Sequence, residues 1–227
     1  MKHQVTALVV AAGQGKRFGG PVSKQFVALH GKPLLYYTLR VFEQCAEIDT
    51  ILAVLPPPRM QTLRSEIEGW GLRKFAGAVA GGAERHDSVC AGLAALPGDC
   101  AWVAIHDGVR PLVTPEVIGR TIAAAQRSGA AIAAVPPKDT VKRIDNDEIV
   151  ETIDRRTLVM VQTPQVFRID LIRRAYQHAR ETGSFFTDDA ALVEAIGYPV
   201  KYVMGDYRNI KITSPEDWVF VQAFLEP

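Results

Sequence analysis

The chain has 227 residues, 48% hydrophobic and 22% charged, which is ordinary for a soluble globular protein long enough to bury a core. Its 26 lysines and arginines nearly balance 25 aspartates and glutamates, for a net charge of +1, so nothing global points to nucleic acid or an anionic membrane surface. Any anion site must therefore come from a local cluster of cations. The three cysteines, Cys45, Cys90 and Cys100, form no CxxC pair; this argues against a disulfide framework or zinc knuckle and suits a reduced, cytoplasmic protein. The N-terminal "MKHQVTALVVAAG" lacks the layout of a signal peptide, and no run reaches the about 18 apolar residues of a spanning helix.

Short apolar runs alternate with amphipathic ones along the chain. "VTALVVAA" reads as a strand apolar on both faces, "PLLYYTLRVFEQC" as a helix with Pro33 in its first turn, and "TILAVLP" as a second strand. A polar helix, "PRMQTLRSEIEGWG", leads to a third strand, "KFAGAVAGG". "RHDSVCAGLAAL" is a helix, and "AWVAIHDG" and "AAIAAVPP" are the fourth and fifth strands. "TPEVIGRTIAAAQRSG" carries its own punctuation, with Thr114 as cap, Pro115 first and Gly129 closing. "SPEDWVFVQAFLE" repeats the pattern with Ser214, Pro215 and Asp217. This rhythm predicts an α/β fold, a three-layer, mostly parallel twisted sheet of Rossmann-like type, in a single domain over 1–227. One segment departs from it. Apolar residues flank "DNDE" in a predicted β-hairpin arm at about 138–161, which needs support from its own domain or from a second subunit.

The first strand runs into "AAGQGKRFGGPVSKQF". Gly13 is followed five residues later by Phe18, so GxxxxGK[ST] fails; GxGxxG fails at the same residue. The second strand ends in "LPPP", without the acid that would bind a ribose. Ala11, Ala12 and Gly13 lack bulk and let a flat ring or a phosphate approach the backbone, and Gly13 and Gly15 can aim N–H groups at anionic oxygens. Lys16, Arg17 and Lys24 then supply the positive charge that a triphosphate and its transition state require. The competing reading is a solvated loop with cations for solubility.

The ordered pieces "AAGQGKRFGGPVSKQF", "GGAERHDSVCAGL", "HDGVRP", "DTVKR", "TPQVF", "TDDAALVE" and "NIKITSPED" resemble the 2-C-methyl-D-erythritol 4-phosphate cytidylyltransferases of the non-mevalonate isoprenoid pathway, from Val5 to the last helix. The resemblance implies a nucleotidyltransferase fold and the reaction of CTP, with Mg²⁺, and a polyol phosphate to give a CDP-polyol and pyrophosphate. Ribitol 5-phosphate is the nearest alternative acceptor, and a non-catalytic nucleotide-binding protein is a more distant reading. It also implies a homodimer joined through the arm, with no nucleic-acid or membrane partner. The bifunctional members carry a downstream cyclodiphosphate synthase, which is not expected here after Pro227.

Carried over residue by residue, the resemblance implies that Arg17 and Lys24 stabilise the transition state. Lys16 meets the outer phosphates, and Ala11, Ala12, Gly13 and Gly15 line the nucleotide pocket with Gly82 and Ser88. Ser88 otherwise reads as a helix cap. Asp107 follows the fourth strand, where ligands of open α/β sheets gather; it is the candidate Mg²⁺ ligand, or a contact to ribose or acceptor hydroxyls. Arg110 stands where it can pair with Asp107, and His106 reads as a packing residue. "HDGVRP" departs from the alanine pair common in the family. Thr140, Thr163 and Thr187 suit an acceptor phosphate, although Thr187 is also placed to cap a helix. Arg155 on the arm is implied to reach the neighbouring subunit's acceptor, and Lys211 to hold the acceptor phosphate; Lys211 otherwise reads as a strand-edge lysine.

Overall fold

Seven strands form the central sheet of the computed structural model, which describes residues 4–13, 23–184 and 186–225. In chain order the elements are β1 (Gln4–Val10), a small hairpin of β2 (Ala28–Leu29) and β3 (Lys32–Pro33), α1 (Leu34–Gln44), β4 (Thr50–Leu55), α2 (Met60–Glu68), β5 (Phe75–Ala80), α3 (Arg85–Ala94), β6 (Cys100–Asp107), α4 (Pro115–Ser128) and β7 (Ala130–Val135). There follow β8 (Val141–Asp145), β9 (Glu148–Ile153), β10 (Met160–Arg168), α5 (Ile169–Thr182), α6 (Asp189–Ala195), β11 (Lys201–Met204) and α7 (Pro215–Gln222).

The sheet order is β11-β7-β10-β6-β1-β4-β5. Only β10 runs against its neighbours, antiparallel to β6 and to β7. Strand β1 is buried along its length because both faces are covered. Val5, Ala7 and Val9 pack on one side with α1, α2 and α4 residues such as Leu39, Phe42, Ile67 and Ile118. Leu8, one position out of step, packs on the other side with Val89 and Leu93 of α3 and Leu171 and Ile172 of α5. Each such fully buried aliphatic side chain contributes about 1.5–3 kcal/mol. A third cluster, Leu29, Leu34, Val109, Ile212 and Val221, lies under the loop after β6.

The helix punctuation holds. Thr114 Oγ1 accepts from Val117 N, Gly129 closes α4 at a φ of 88°, and Ser214 and Asp217 form a capping box. Thr187 does not cap α6: the Asp188 carboxylate accepts from Ala191 N, because the helix starts one residue later than expected. The hairpin ends earlier than predicted. Strands β8 and β9 pair only with each other, while Met160 and Val161 have left the arm and pair with Val135 and Ala134 of β7. The chain visits β1, β4 and β5 on one side, then crosses to β6 on the other. The order therefore reverses between β1 and β6, and the crevice for a ligand opens at their carboxyl ends.

Candidate active site

Val10 is in register with Asp107, so the ends of β1 and β6 lie side by side. They floor a cleft of about 790 Å³ lined by Ala11, Ala12 and Gly13, by Gly81, Gly82 and Ser88 after β5, and by Lys24, Asp107 and Lys211. A Cβ added to Gly81 would lie 2.3 Å from Ala12 Cβ and 2.7 Å from Ser88 Oγ. Only glycine allows the two walls to approach so closely. Ser88 is buried; its hydroxyl donates to Glu84 O (3.1 Å) and accepts from Gly82 N (3.2 Å). It thus shapes the glycine turn within the wall.

Asp107 is the electrostatic centre. Lys211 Nζ lies 2.9 Å from Oδ2, Arg85 Nε 3.3 Å from Oδ1 and Arg110 Nε 3.6 Å from Oδ2. Burial pushes the carboxyl up, but Lys211, Arg85 and Arg110 together outweigh it and hold Asp107 well below the usual carboxylate range. Arg85 was not singled out by sequence reasoning, although it sits inside "GGAERHDSV". Its guanidinium also grips the fully buried Asp189 with two bonds, of 3.1 and 2.7 Å, and Tyr176 Oη donates to the same carboxylate at 2.5 Å. The Arg85 fork thereby ties the nucleotide wall to the start of α6.

Thr163 is buried, and its hydroxyl accepts from Asp107 N (3.1 Å) and contacts His106 Nδ1 (3.0 Å). His106 Nε2 lies 3.2 Å from Arg110 O, so Nε2 carries the proton and Nδ1 accepts from Thr163. Burial lowers the His106 pKa to about 3, which keeps the ring neutral. The Thr163 hydroxyl thus holds the end of β6, with its hydrogen on His106 and one of its two acceptor sites on Asp107 N. Lys211 is not on a strand. Its loop is fixed by Ile212 N donating to Val109 O (3.0 Å), Asn209 Nδ2 to Thr163 O (2.8 Å) and Arg110 Nη1 to Asn209 O (2.7 Å). Arg110, its side chain 11% exposed, supports this loop and Asp107.

Gly15, Lys16 and Arg17 lie outside the described residues. Arg155 and Thr140 are exposed near the base of the arm and do not line the cleft; Arg155 Nη1 donates to Lys138 O. Thr187 is exposed in the loop before α6, likewise outside the cleft lining. Asp107 does not fit the expected magnesium ligand. Its carboxylate already meets three cations, so a divalent ion placed there would sit against Lys211, Arg85 and Arg110. No group of three or more His, Cys, Asp or Glu gathers as a metal cage among the described residues.

The sequence matches the family profile of 2-C-methyl-D-erythritol 4-phosphate cytidylyltransferase over residues 5–227. A protein of that description from Alkaliphilus metalliredigens is 48% identical, over 98% of this chain and 93% of its own. One from Geobacter metallireducens is 46% identical, over 98% and 97%. The crystal structure of 4-diphosphocytidyl-2C-methyl-D-erythritol synthase from Anaerococcus prevotii superposes with a TM-score of 0.88 at 33% identity, covering 100% of both chains. That of the cytidylyltransferase from Thermus thermophilus superposes with a TM-score of 0.76 at 34% identity, covering 96% of each. A cleft lined by two lysines at the switch point of this sheet, together with a family match along nearly the whole chain, assigns the protein to the 2-C-methyl-D-erythritol 4-phosphate cytidylyltransferase family.

Proposed function

We propose that the protein transfers the cytidylyl group of CTP to 2-C-methyl-D-erythritol 4-phosphate. An oxygen of the acceptor phosphate forms a bond to the α-phosphorus, the bond from that phosphorus to the bridging oxygen breaks, and pyrophosphate leaves. A phosphate monoester is already anionic near neutral pH, its second pKa being about 6, so the attack needs no general base. That requirement agrees with a cleft whose histidine neighbour, His106, is buried and held neutral. The protein's task is to bring two polyanions together and stabilise the charge that builds between them.

The observation that carries this reading is the pair of lysines on one cleft. Lys24 stands beside the Ala11–Gly13 floor and Lys211 beside Asp107. Lys24, with Arg17, offsets charge at the α-phosphate, and Lys211 holds the acceptor phosphate in line. Asp107 keeps Lys211 aimed and lines the cleft where hydroxyls of the ribose or acceptor would lie. Gly81 and Gly82 make the slot for cytosine. The magnesium ion arrives with CTP, as part of the substrate.

The arm supports a dimer. Ile144 and Ile149 are each 67% exposed and Val150 is 55% exposed on a two-stranded ribbon that is marginal alone. A second copy would cover them and bring Arg155, and Thr140 near it, to the acceptor side of the partner's cleft. Three free thiols, two of them buried, suit the cytoplasm. Among the described residues no helix is long and apolar enough to cross a membrane. The test is pyrophosphate release from CTP with each of two acceptors. Release with methylerythritol phosphate alone supports the reading, and release with ribitol 5-phosphate alone overturns it.

A further inference from the structure

Gln25 follows Lys24 in a short 3₁₀ turn, Lys24–Phe26, and is a polar residue almost wholly buried, at 2% exposure. Its side-chain Nε2 donates to Ala11 O at 2.8 Å and to Gly13 O at 2.7 Å. Both partners are carbonyl oxygens, which only accept, so the nitrogen must face them and both its hydrogens are used. The chain leaves the sheet through Ala11–Gly13 and is next described at Ser23. Gln25 therefore stitches the returning limb to the departing one.

The returning limb is itself anchored. Phe26 N donates to Ser23 O (2.8 Å), Leu34 N to Val27 O (3.0 Å), and Tyr37 Oη to Leu29 O (2.7 Å). Phe26 packs on the core beside α1. The departing limb is anchored at Ala11, whose N–H donates to Val54 O at 2.8 Å. Between these fixed points the Gln25 amide turns the carbonyls of Ala11 and Gly13 toward itself. A peptide carbonyl and the following N–H point in opposite directions, so the N–H group of Ala12 is set facing away from Gln25.

We infer that Gln25 is a positioning residue for the transfer reaction: through its two bonds to Ala11 and Gly13 it sets the nucleotide floor and the placement of Lys24. It acts through backbone and does not touch substrate. This rests on the reading of the cleft as a CTP site. Loss of the two donors lets floor and lysine drift apart, and a displacement on the order of 1 Å at such a site can cost about 10²-fold in rate.

The test uses the full-length protein with two substitutions. Gln25→Met keeps the volume and removes both donors. It is expected to lower kcat by about 10²-fold, to raise KM for CTP, and to leave KM for the acceptor near its wild-type value. Gln25→Glu places a carboxylate against two carbonyls when ionised, but a donating O–H when protonated. Burial and the facing carbonyl dipoles favour the protonated form. Its activity relative to wild type is therefore expected to rise as pH falls from about 8 to about 6, a rescue that a purely space-filling role would not produce. Hydrogen exchange of the peptide carrying Ala11 to Gly13 reads the stitch without turnover and is expected to quicken in Gln25→Met. Wild-type kcat and CTP KM in Gln25→Met overturn the proposal. If that variant does not fold, a pH-independent activity ratio for Gln25→Glu overturns it instead. Faster exchange in Gln25→Met combined with a wild-type protein inactive on CTP would count against the reaction assignment and leave the stitch standing.

Discussion

Lys211 Nζ and Asp107 Oδ2 lie 2.9 Å apart and join the loop after β11 to the end of β6 at the mouth of the cleft. The lysine side chain is 36% exposed, whereas the aspartate is buried, at 9%. Without the lysine the buried carboxylate would lose the nearest of its three cations, so the pair serves folding as well as aim. Lys211→Ala is therefore expected to lower the thermal midpoint and to cut kcat by about 10²–10³-fold, the range for losing one fixed charge or donor at a transition state. Pyrophosphate release and a thermal melt on the same preparation check both halves, and near-normal turnover would remove Lys211 from the mechanism.

Lys24→Ala and Arg17→Ala are each expected to collapse turnover while CTP binding, measured by calorimetry, survives in part. If the arm acts across the dimer, mixing Lys24→Ala subunits with Arg155→Ala subunits restores activity. Half the dimers are then mixed and each has one intact site, so the recovery approaches roughly a quarter of wild type. A mixture no more active than its parents would argue against Arg155 serving the partner.

Asp189→Asn addresses the support behind the site. The substitution leaves Asp107 as the remaining carboxylate on Arg85, and breaking a buried pair costs up to about 3–5 kcal/mol. At about 2–4 °C per kcal/mol for a chain of this size, the midpoint should fall by up to roughly 10 °C. An unchanged melting temperature would mean that the Arg85–Asp189 contact is dispensable.

The pH dependence of stability follows from two depressed pKa values. His106 titrates near 3 in the fold against an ordinary 6.5, because burial disfavours its charged form. Between those values the unfolded chain binds a proton that the folded one refuses, so stability falls as pH drops below about 6.5. Asp107, held below its ordinary 3.8 by its three cations despite burial, contributes stability that is present above about 4 and fades below it. Both terms have the same sign, and stability should be greatest above about pH 6.5. Denaturant midpoints from pH 7.5 to 3.5 test this. His106→Gln, though less stable overall, should flatten the slope between about pH 7 and 5, and an unflattened slope would refute the assignment to His106.

Gly81→Ala tests the slot. The added methyl would meet Ala12 Cβ at 2.3 Å, and overpacking of this kind costs about 1–3 kcal/mol. KM for CTP should rise more than KM for the acceptor, and an unaltered CTP KM would show that the base lies elsewhere.

Much of the fold was legible in the chain because local signals and burial agreed. The doubly apolar β1 and β7, the Thr114–Pro115–Gly129 helix and the Ser214–Asp217 capping box all stand where pattern places them. Strand β10 was obscured because "MVQTPQVFR" contains a proline and follows a hairpin, so its apolar residues read as the hairpin's continuation. Of the site, the small residues after β1, the glycine pair and the charged Lys24, Asp107 and Lys211 were visible by type and order. Arg85, Asn209 and Gln25 were not, since their value lies in partners on distant segments. The bonds of Thr163 to His106 and Asp107 were hidden for the same reason: sequence shows a hydroxyl but not its partners.

The placement of β10 has a consequence for assembly on the ribosome. Both neighbours of β7, namely β10 and β11, come after it in the chain. A nascent chain that has emerged only through Val135 can pair β6, β1, β4 and β5, but β7 has no strand to join and the outer edge of β6 stays open. Met160–Arg168 must arrive to bridge the two, bringing Thr163 to Asp107, and Lys211 later still. The interval leaves the apolar edge of β6 exposed to other chains, a hazard for any slow or truncated synthesis. The cleft is completed last, so an unfinished chain has the greater part of a nucleotide floor without the residues proposed to use it.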